Sequence, residues 1–227
     1  MEASNAVIKL VKVYKIYTMG RQEIRAVNNV SLSVNSGEFI SIMGPSGSGK
    51  TTLLNLIGCL DRPTKGKVFL DGVNVSSLND IALTGIRRDK IGFVFQQFNL
   101  IPTLNAIENV ELPMIFKGIE KQKREMRAKK LLELVGMEDK AAHRPAEMSG
   151  GEQQRIAIAR ALANNPAIIL ADEPTGNLDS KTGRDIMELL KDLNMKGRTI
   201  IVVTHDPVVA EYSERIIRIK DGKLDVS

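Results

Sequence analysis

Eight consecutive residues, Gly44-Pro45-Ser46-Gly47-Ser48-Gly49-Lys50-Thr51, satisfy the spacing G-x-x-x-x-G-K-[ST] in full. The chemistry such a run can do is to hold phosphate. Without side chains at Gly47 and Gly49, the backbone can wrap closely enough for its N–H groups to reach phosphate oxygens. Lys50 brings a full positive charge to the β- and γ-phosphates. The N-terminus of a helix opening at Thr51-Thr52-Leu53-Leu54 adds about half a charge. The Thr51 hydroxyl can sit on a Mg²⁺ ion. Gly44, Ser46, Ser48 and Thr52 complete the expected cradle.

A second group follows the apolar run Ile168-Ile169-Leu170-Ala171, which ends in two adjacent carboxylates, Asp172 and Glu173. Side chains alternate along a strand, so the two should point differently and take different roles. Asp172 is expected to hold the Mg²⁺ shell through water, and Glu173 to polarise the water that attacks the γ-phosphate. His205 ends another apolar run, Thr199-Ile200-Ile201-Val202-Val203-Thr204, where it could contact the γ-phosphate and keep that water in line. His143, ahead of Arg144-Pro145, has no such placement and reads as structural.

These groups meet only if the strands carrying them lie side by side. Ligand-binding groups in open parallel sheets collect at the carboxyl ends of the strands. The short β-branched runs at 167–171 and 199–203 predict buried parallel strands, with a helix over 181–194 crossing between them. Strands are also expected at 7–14, 25–34 and 38–43, and a hairpin pairs 67–70 with 73–75 through Asp71-Gly72. The same turn recurs at Asp221-Gly222, between 215–220 and 223–226. Residues 105–135 are rich in Glu, Lys, Met and Leu at helical spacing and predict a mostly helical insert. The expected fold class is α/β: a parallel core, antiparallel strands at the start, and a helical subdomain in the middle.

Composition sets outer bounds. The 227 residues are 43% hydrophobic and 26% charged, with no tryptophan, and can bury one large core. The single cysteine, Cys59, excludes an internal disulfide framework and fits a reducing compartment. A net charge of +5 favours anionic partners without choosing among nucleotides, phospholipid surfaces and nucleic acid. No apolar run reaches the roughly 20 residues a membrane span needs. The first fifteen residues lack the apolar core of a signal peptide. The chain is therefore expected to be soluble, with any membrane part supplied by another chain.

The run Met148-Ser149-Gly150-Gly151-Glu152-Gln153-Gln154-Arg155 narrows the field. Ser149 and Glu152 have capping-box spacing, so a helix starts here. Two glycines in its first turn cost stability unless something approaches the backbone closely, as a phosphate would. The run resembles the signature motif of ATP-binding cassette proteins, with Met148 and Glu152 where the commonest form has Leu and Gln. It stands just ahead of the acid pair, as in that family.

The resemblance covers essentially the whole chain. It implies one domain over 1–227: a nucleotide-binding core at about 1–96 and 160–227, and a helical subdomain at about 97–159 that carries the signature. It implies ATP and Mg²⁺ as cofactors. Gln96, after Gly92-Phe93-Val94-Phe95, matches the glutamine that touches Mg²⁺ and senses the γ-phosphate. Asn177-Leu178-Asp179 matches the loop that signals across a dimer interface. Tyr17 stands where the family stacks an aromatic ring on adenine, a structural strand tyrosine being the alternative. Ser149, Gly150, Gly151 and Glu152 would bind the γ-phosphate of ATP held on another subunit's Lys50 loop.

The machine so implied is an ATPase that works as an ATP-sandwiched homodimer. It would power transport through a separate integral membrane permease and lie peripherally on the cytoplasmic face of the membrane. Phe98, Leu100, Ile101 and Leu104 could line the groove where that permease docks, although core packing explains them equally well. The stretch from Ile86-Arg87-Arg88-Asp89-Lys90 to Glu108-Asn109-Val110-Glu111-Leu112-Pro113 resembles the lipoprotein-release and macrolide-export branch. No C-terminal regulatory domain is expected after Asp225. A cell-division ATPase of the same family, which also pairs with a membrane chain, remains an alternative. A nucleic-acid ATPase is the other. Its basic run, 121–130, has no interleaved aromatics and contains Glu125, so no nucleic acid is expected as partner.

Overall fold

A computed structural model describes residues 6–20 and 22–225. Two sheets organise them. In the first, the antiparallel strands β1 (Ala6–Met19), β2 (Gln22–Asn35), β4 (Lys65–Leu70) and β5 (Val73–Asn74) run in the order β2-β1-β4-β5. The second is built on β3 (Phe39–Met43), β6 (Ile91–Phe95), β7 (Ile168–Asp172), β8 (Thr199–Thr204), β9 (Arg215–Lys220) and β10 (Lys223–Asp225). Its order is β10-β9-β3-β8-β7-β6, parallel except for the hairpin to β10. Seven α-helices accompany them among the described residues: α1 (Lys50–Ile57), α2 (Asp80–Lys90), α3 (Ala106–Phe116), α4 (Lys121–Leu134), α5 (Gly150–Leu162), α6 (Ser180–Met195) and α7 (Pro207–Ala210).

The apolar runs of the parallel strands split by alternation, as a doubly covered sheet requires. Ile168, Leu170, Ile201 and Val203 pack with α1 and the antiparallel sheet. Ile169, Ala171, Ile200 and Val202 pack with α3, α4, α5 and α6. The β4–β5 and β9–β10 hairpins turn on Asp-Gly with positive φ at both residues, 47° and 76° at Asp71-Gly72 and 49° and 74° at Asp221-Gly222. That is the type I′ geometry that matches strand twist.

Several expectations need adjustment. The first two strands are longer than their apolar stretches, because they pair with each other from Ala6–Asn35 to Met19–Gln22. The strand expected at 38–43 begins at Phe39, and that at 167–171 begins at Ile168 and reaches Asp172. Val75 leaves the strand and opens a 3-10 turn that the Asn74 side chain caps at Ser76 N. The helical insert is broken at Gly118, whose φ of 76° separates α3 from α4. Helix α2 and strand β6 were not anticipated. Val226, expected in the last strand, lies outside the described residues. No helix among the described residues is long and apolar enough to cross a membrane.

Candidate functional site

The loop 44–49 leaves the end of β3 and feeds directly into α1, as a phosphate site demands. Gly49 takes φ 102°, and a side chain there would overlap the Ala26 carbonyl of β2. The β9–β10 turn closes the other flank. Gly222 N donates to Ser48 O at 2.9 Å, and Asn28 N donates to Gly222 O at 2.8 Å. A cleft of about 800 Å³ opens here, large enough for a nucleotide. Pro45, Ser46, Gly47, Gly49, Lys50, Thr51 and Thr52 line it, with Glu173 and His205 from the strand ends. Gly44 and Ser48 shape the loop from behind: the Ser48 hydroxyl is buried without a partner, and a side chain at Gly44 would strike it and Ile219. A groove of similar size, about 830 Å³, opens beside Lys9, Lys67 and Ala167 at the opposite strand ends, and contains none of these groups.

Lys50 is buried, and its Nζ donates to Gly44 O at 2.7 Å and Pro45 O at 2.9 Å. The ammonium thus pins its own loop and keeps one donor for a ligand. The Thr51 hydroxyl donates to Asp172 Oδ1 at 3.4 Å. Burial raises the Asp172 carboxyl above its ordinary pKa, partly offset by the Thr51 bond and by Lys50, with Glu173 adding to the rise. Among the described residues no three His, Cys, Asp or Glu side chains cluster as a metal cage. A hydroxyl and a partly buried carboxylate still fit Mg²⁺, which prefers hard oxygens and takes much of its shell from phosphate and water.

Glu173 has the left-handed φ of 46°, uncommon for a residue with a side chain and enriched at working sites. Its N–H donates to Val203 O at 2.9 Å, which ties the turn that follows β7 to the neighbouring strand β8. Its Oε1 lies 3.0 Å from His205 Nδ1. The carboxylate is 23% exposed and the imidazole 65%, so His205 reaches into the cleft from its open side. Asp172 and Glu173 do point differently, one to Thr51 and one to His205.

The other candidates stand outside this cleft. Gln96 Nε2 donates to Asn177 Oδ1 at 3.3 Å, and Asn177 Nδ2 returns a bond to Gln96 O at 2.9 Å. Ser149 caps α5 in a full capping box, accepting from Glu152 N while Glu152 Oε2 accepts from Ser149 N at 2.7 Å. That N–H, helped by Lys140, holds the Glu152 carboxyl below its usual range. The signature glycines also have a reason within the chain, since side chains there would crowd Leu178 at Gly150 and Thr182 at Gly151. Asp179 caps α6, accepting from Lys181 N and Thr182 N at 3.0 Å.

Tyr17 sits beside Thr52 at the cleft's edge, its hydroxyl donating to Asp61 Oδ2 at 2.7 Å and Lys15 Nζ 4.9 Å from the ring centre. Burial and Asp61 both push its phenol pKa up. His143 has no place in the site. Ile24, Arg25, Ala26, Asp221 and Gly222 line the cleft without having been anticipated. Asp221-Gly222 was legible as a turn, but only the packing of one sheet on the other brings it and β2 to the loop.

An apolar groove of about 600 Å³ runs between α2, α3 and β6, lined by Ile91, Phe93, Phe95, Leu112, Pro113 and the 71%-exposed Phe116. It passes Asn99 but is not lined by Phe98, Leu100, Ile101 or Leu104.

Comparison with known proteins now decides the family. The ABC transporter family profile matches residues 27–176. The chain belongs to the ABC transporter family. It is an ATP-binding, ATP-hydrolysing cassette, an α/β protein of the P-loop type. It is 60% identical to the ABC transporter ATP-binding protein MJ0796 of Methanocaldococcus jannaschii, covering 96% of this chain and 95% of that one. The dimeric post-hydrolysis state of the MJ0796 cassette, bound to ADP and Pi, superposes with a TM-score of 0.89 at 58% identity, covering 96% of each chain. A macrolide export ATP-binding/permease protein MacB, from Rhodospirillum rubrum, is 48% identical over 96% of this chain, which spans 33% of that longer protein.

Proposed function

We propose that this cassette works as an ATP-sandwiched homodimer and drives a separate membrane permease of the export or extraction type. The observation that carries the proposal is the division of the site. One chain's cleft collects the Lys50 loop, Glu173 and His205, with Asp172 bonded to Thr51 at its floor, while the Ser149 helix end lies outside it. A second copy, turned head to tail, can bring that helix N-terminus to the γ-phosphate. The relative of known structure is itself dimeric.

In the assembled site Lys50 and the loop N–H groups bind the phosphates, with Gly44, Ser46, Gly47, Ser48, Gly49 and Thr52 shaping or lining the cradle. Thr51, Asp172 and Gln96 would hold Mg²⁺, whose charge neutralises the phosphate oxygens when bound. Glu173 would accept the proton of the attacking water, and His205, whose Nδ1 lies 3.0 Å from Glu173 Oε1, would keep that water in line. Ser149, Gly150, Gly151 and Glu152 close the site from the partner, Asp179 lies on the loop between the two sites, and Tyr17 receives the adenine. The helical arm at about 97–159 carries the signature. The groove around Phe116 suits an apolar segment of a permease, which would place the cassette on the cytoplasmic face of the membrane.

Mixing variants tests this. Lys50→Ala and Ser149→Arg should each lose ATPase activity alone, and their mixture should recover part of it, because one composite site is intact. A mixture as inactive as its components would refute the shared site.

A further inference from the structure

We propose that Gln154 is a positioning residue through which the signature helix sets the geometry of its own subunit's hydrolytic residues. The inference rests on the shared-site reading above. Gln154 is completely buried on α5, one helical turn from Gly150, a rise of about 6 Å. Its amide nitrogen donates to Pro174 O at 2.6 Å and to Phe95 O at 3.3 Å. Those carbonyls belong to the residues that directly follow Glu173 and directly precede Gln96. One side chain therefore grips both turns that carry the water-polarising carboxylate and the expected Mg²⁺ contact.

The amide has only one workable orientation. Reversed, its oxygen would face two carbonyl oxygens inside a dry core. As placed, Oε1 is buried with no partner, a cost that an apolar side chain of the same shape would avoid. The bonds to 95 and 174 are what such a residue provides in exchange. Because α5 is a rigid rod, a shift at its Ser149 end, where the partner's nucleotide seats, moves this grip too. The fit of one ATP thus adjusts the machinery aimed at the other.

The mixed dimer of Lys50→Ala and Ser149→Arg chains isolates the effect. Its surviving site takes the cradle, Glu173 and Gln96 from the Ser149→Arg chain and the signature from the Lys50→Ala chain. Gln154→Leu placed in the Ser149→Arg chain should lower kcat at least about tenfold with KM for ATP little changed, as expected when reacting groups are misplaced. Placed in the Lys50→Ala chain, it should cost several-fold less. Gln154→Met, which keeps the side-chain length and removes both the donor and the unpartnered acceptor, should repeat the asymmetry, with melting temperatures of the two arms matched so that unfolding does not account for it. Equal losses in the two arms, or the larger loss in the signature-donating chain, would overturn the proposal in favour of plain helix support. If the parent mixture is inactive, the shared site itself is wrong and this inference goes with it.

Discussion

Asp89 shows what a single charge can do away from the cleft. Its carboxylate meets Arg88 Nη2 at 2.8 Å and Lys117 Nζ at 3.1 Å, tying the end of α2 to the loop after α3 beside the apolar groove. The Arg88 bond first, then Lys117, holds its pKa down at about 2 against the opposing effect of burial. A carboxylate lowered on folding stabilises above its unfolded pKa, and that stabilisation fades as pH falls through the folded value. Asp89→Asn should therefore cost stability at pH 7, by about 0.5 kcal/mol given the pair's exposure. The difference from the parent should close as thermal melts are taken down towards pH 2. Cys59 is the opposite case. Burial pushes its thiol up to about 11, so at neutral pH it is a protonated core group rather than a nucleophile.

Among the elements, α6 depends visibly on its start. Asp179 accepts two backbone N–H groups and the Thr182 hydroxyl, the last at 2.5 Å. Asp179→Ala should lower the isolated chain's midpoint in urea titration, whatever else it does to a dimer. The capping box at Ser149–Glu152 was legible because it is local, and the alternating strands were legible because burial on both faces leaves an unbroken apolar run. Helix α2 was missed although its signals are present: Asn79 caps it, Asp80 opens it, and Arg87, Arg88 and Lys90 close it. Gly85 and the 84%-exposed Ile81 blur its apolar face, and hydrophobic period alone does not find it. Strand β6 is short and carries Gly92 in its interior, so no local pattern marks it as a strand. The cradle residues could be named from spacing, but Ile24, Arg25 and Ala26 could not. Their part is set by how one sheet lies on another, which no local pattern encodes. Gln154 escaped for the same reason: its two acceptors stand 59 and 20 residues away.

At the scale of the whole molecule, the cassette presents a cleft for nucleotide at the strand ends and an apolar groove beside α2 and α3. A chain carrying Glu173→Gln should bind ATP without turning it over, and so stay paired. Tagged and recovered with Mg-ATP from solubilised membranes of its source, it should bring down a stoichiometric polytopic partner. Recovery of soluble proteins or nucleic acid alone would leave the ATPase in place and remove the transporter assignment proposed for it. The hydrogen bonds that join Ser48, Gly222 and Asn28 carry one more consequence. They link segments separated by well over a hundred residues, so the finished cradle needs the loop, β2 and the β9–β10 turn together. A chain without the β9–β10 hairpin would contain the whole glycine-rich sequence and yet lack the flank of the cleft that Asp221 and Gly222 provide.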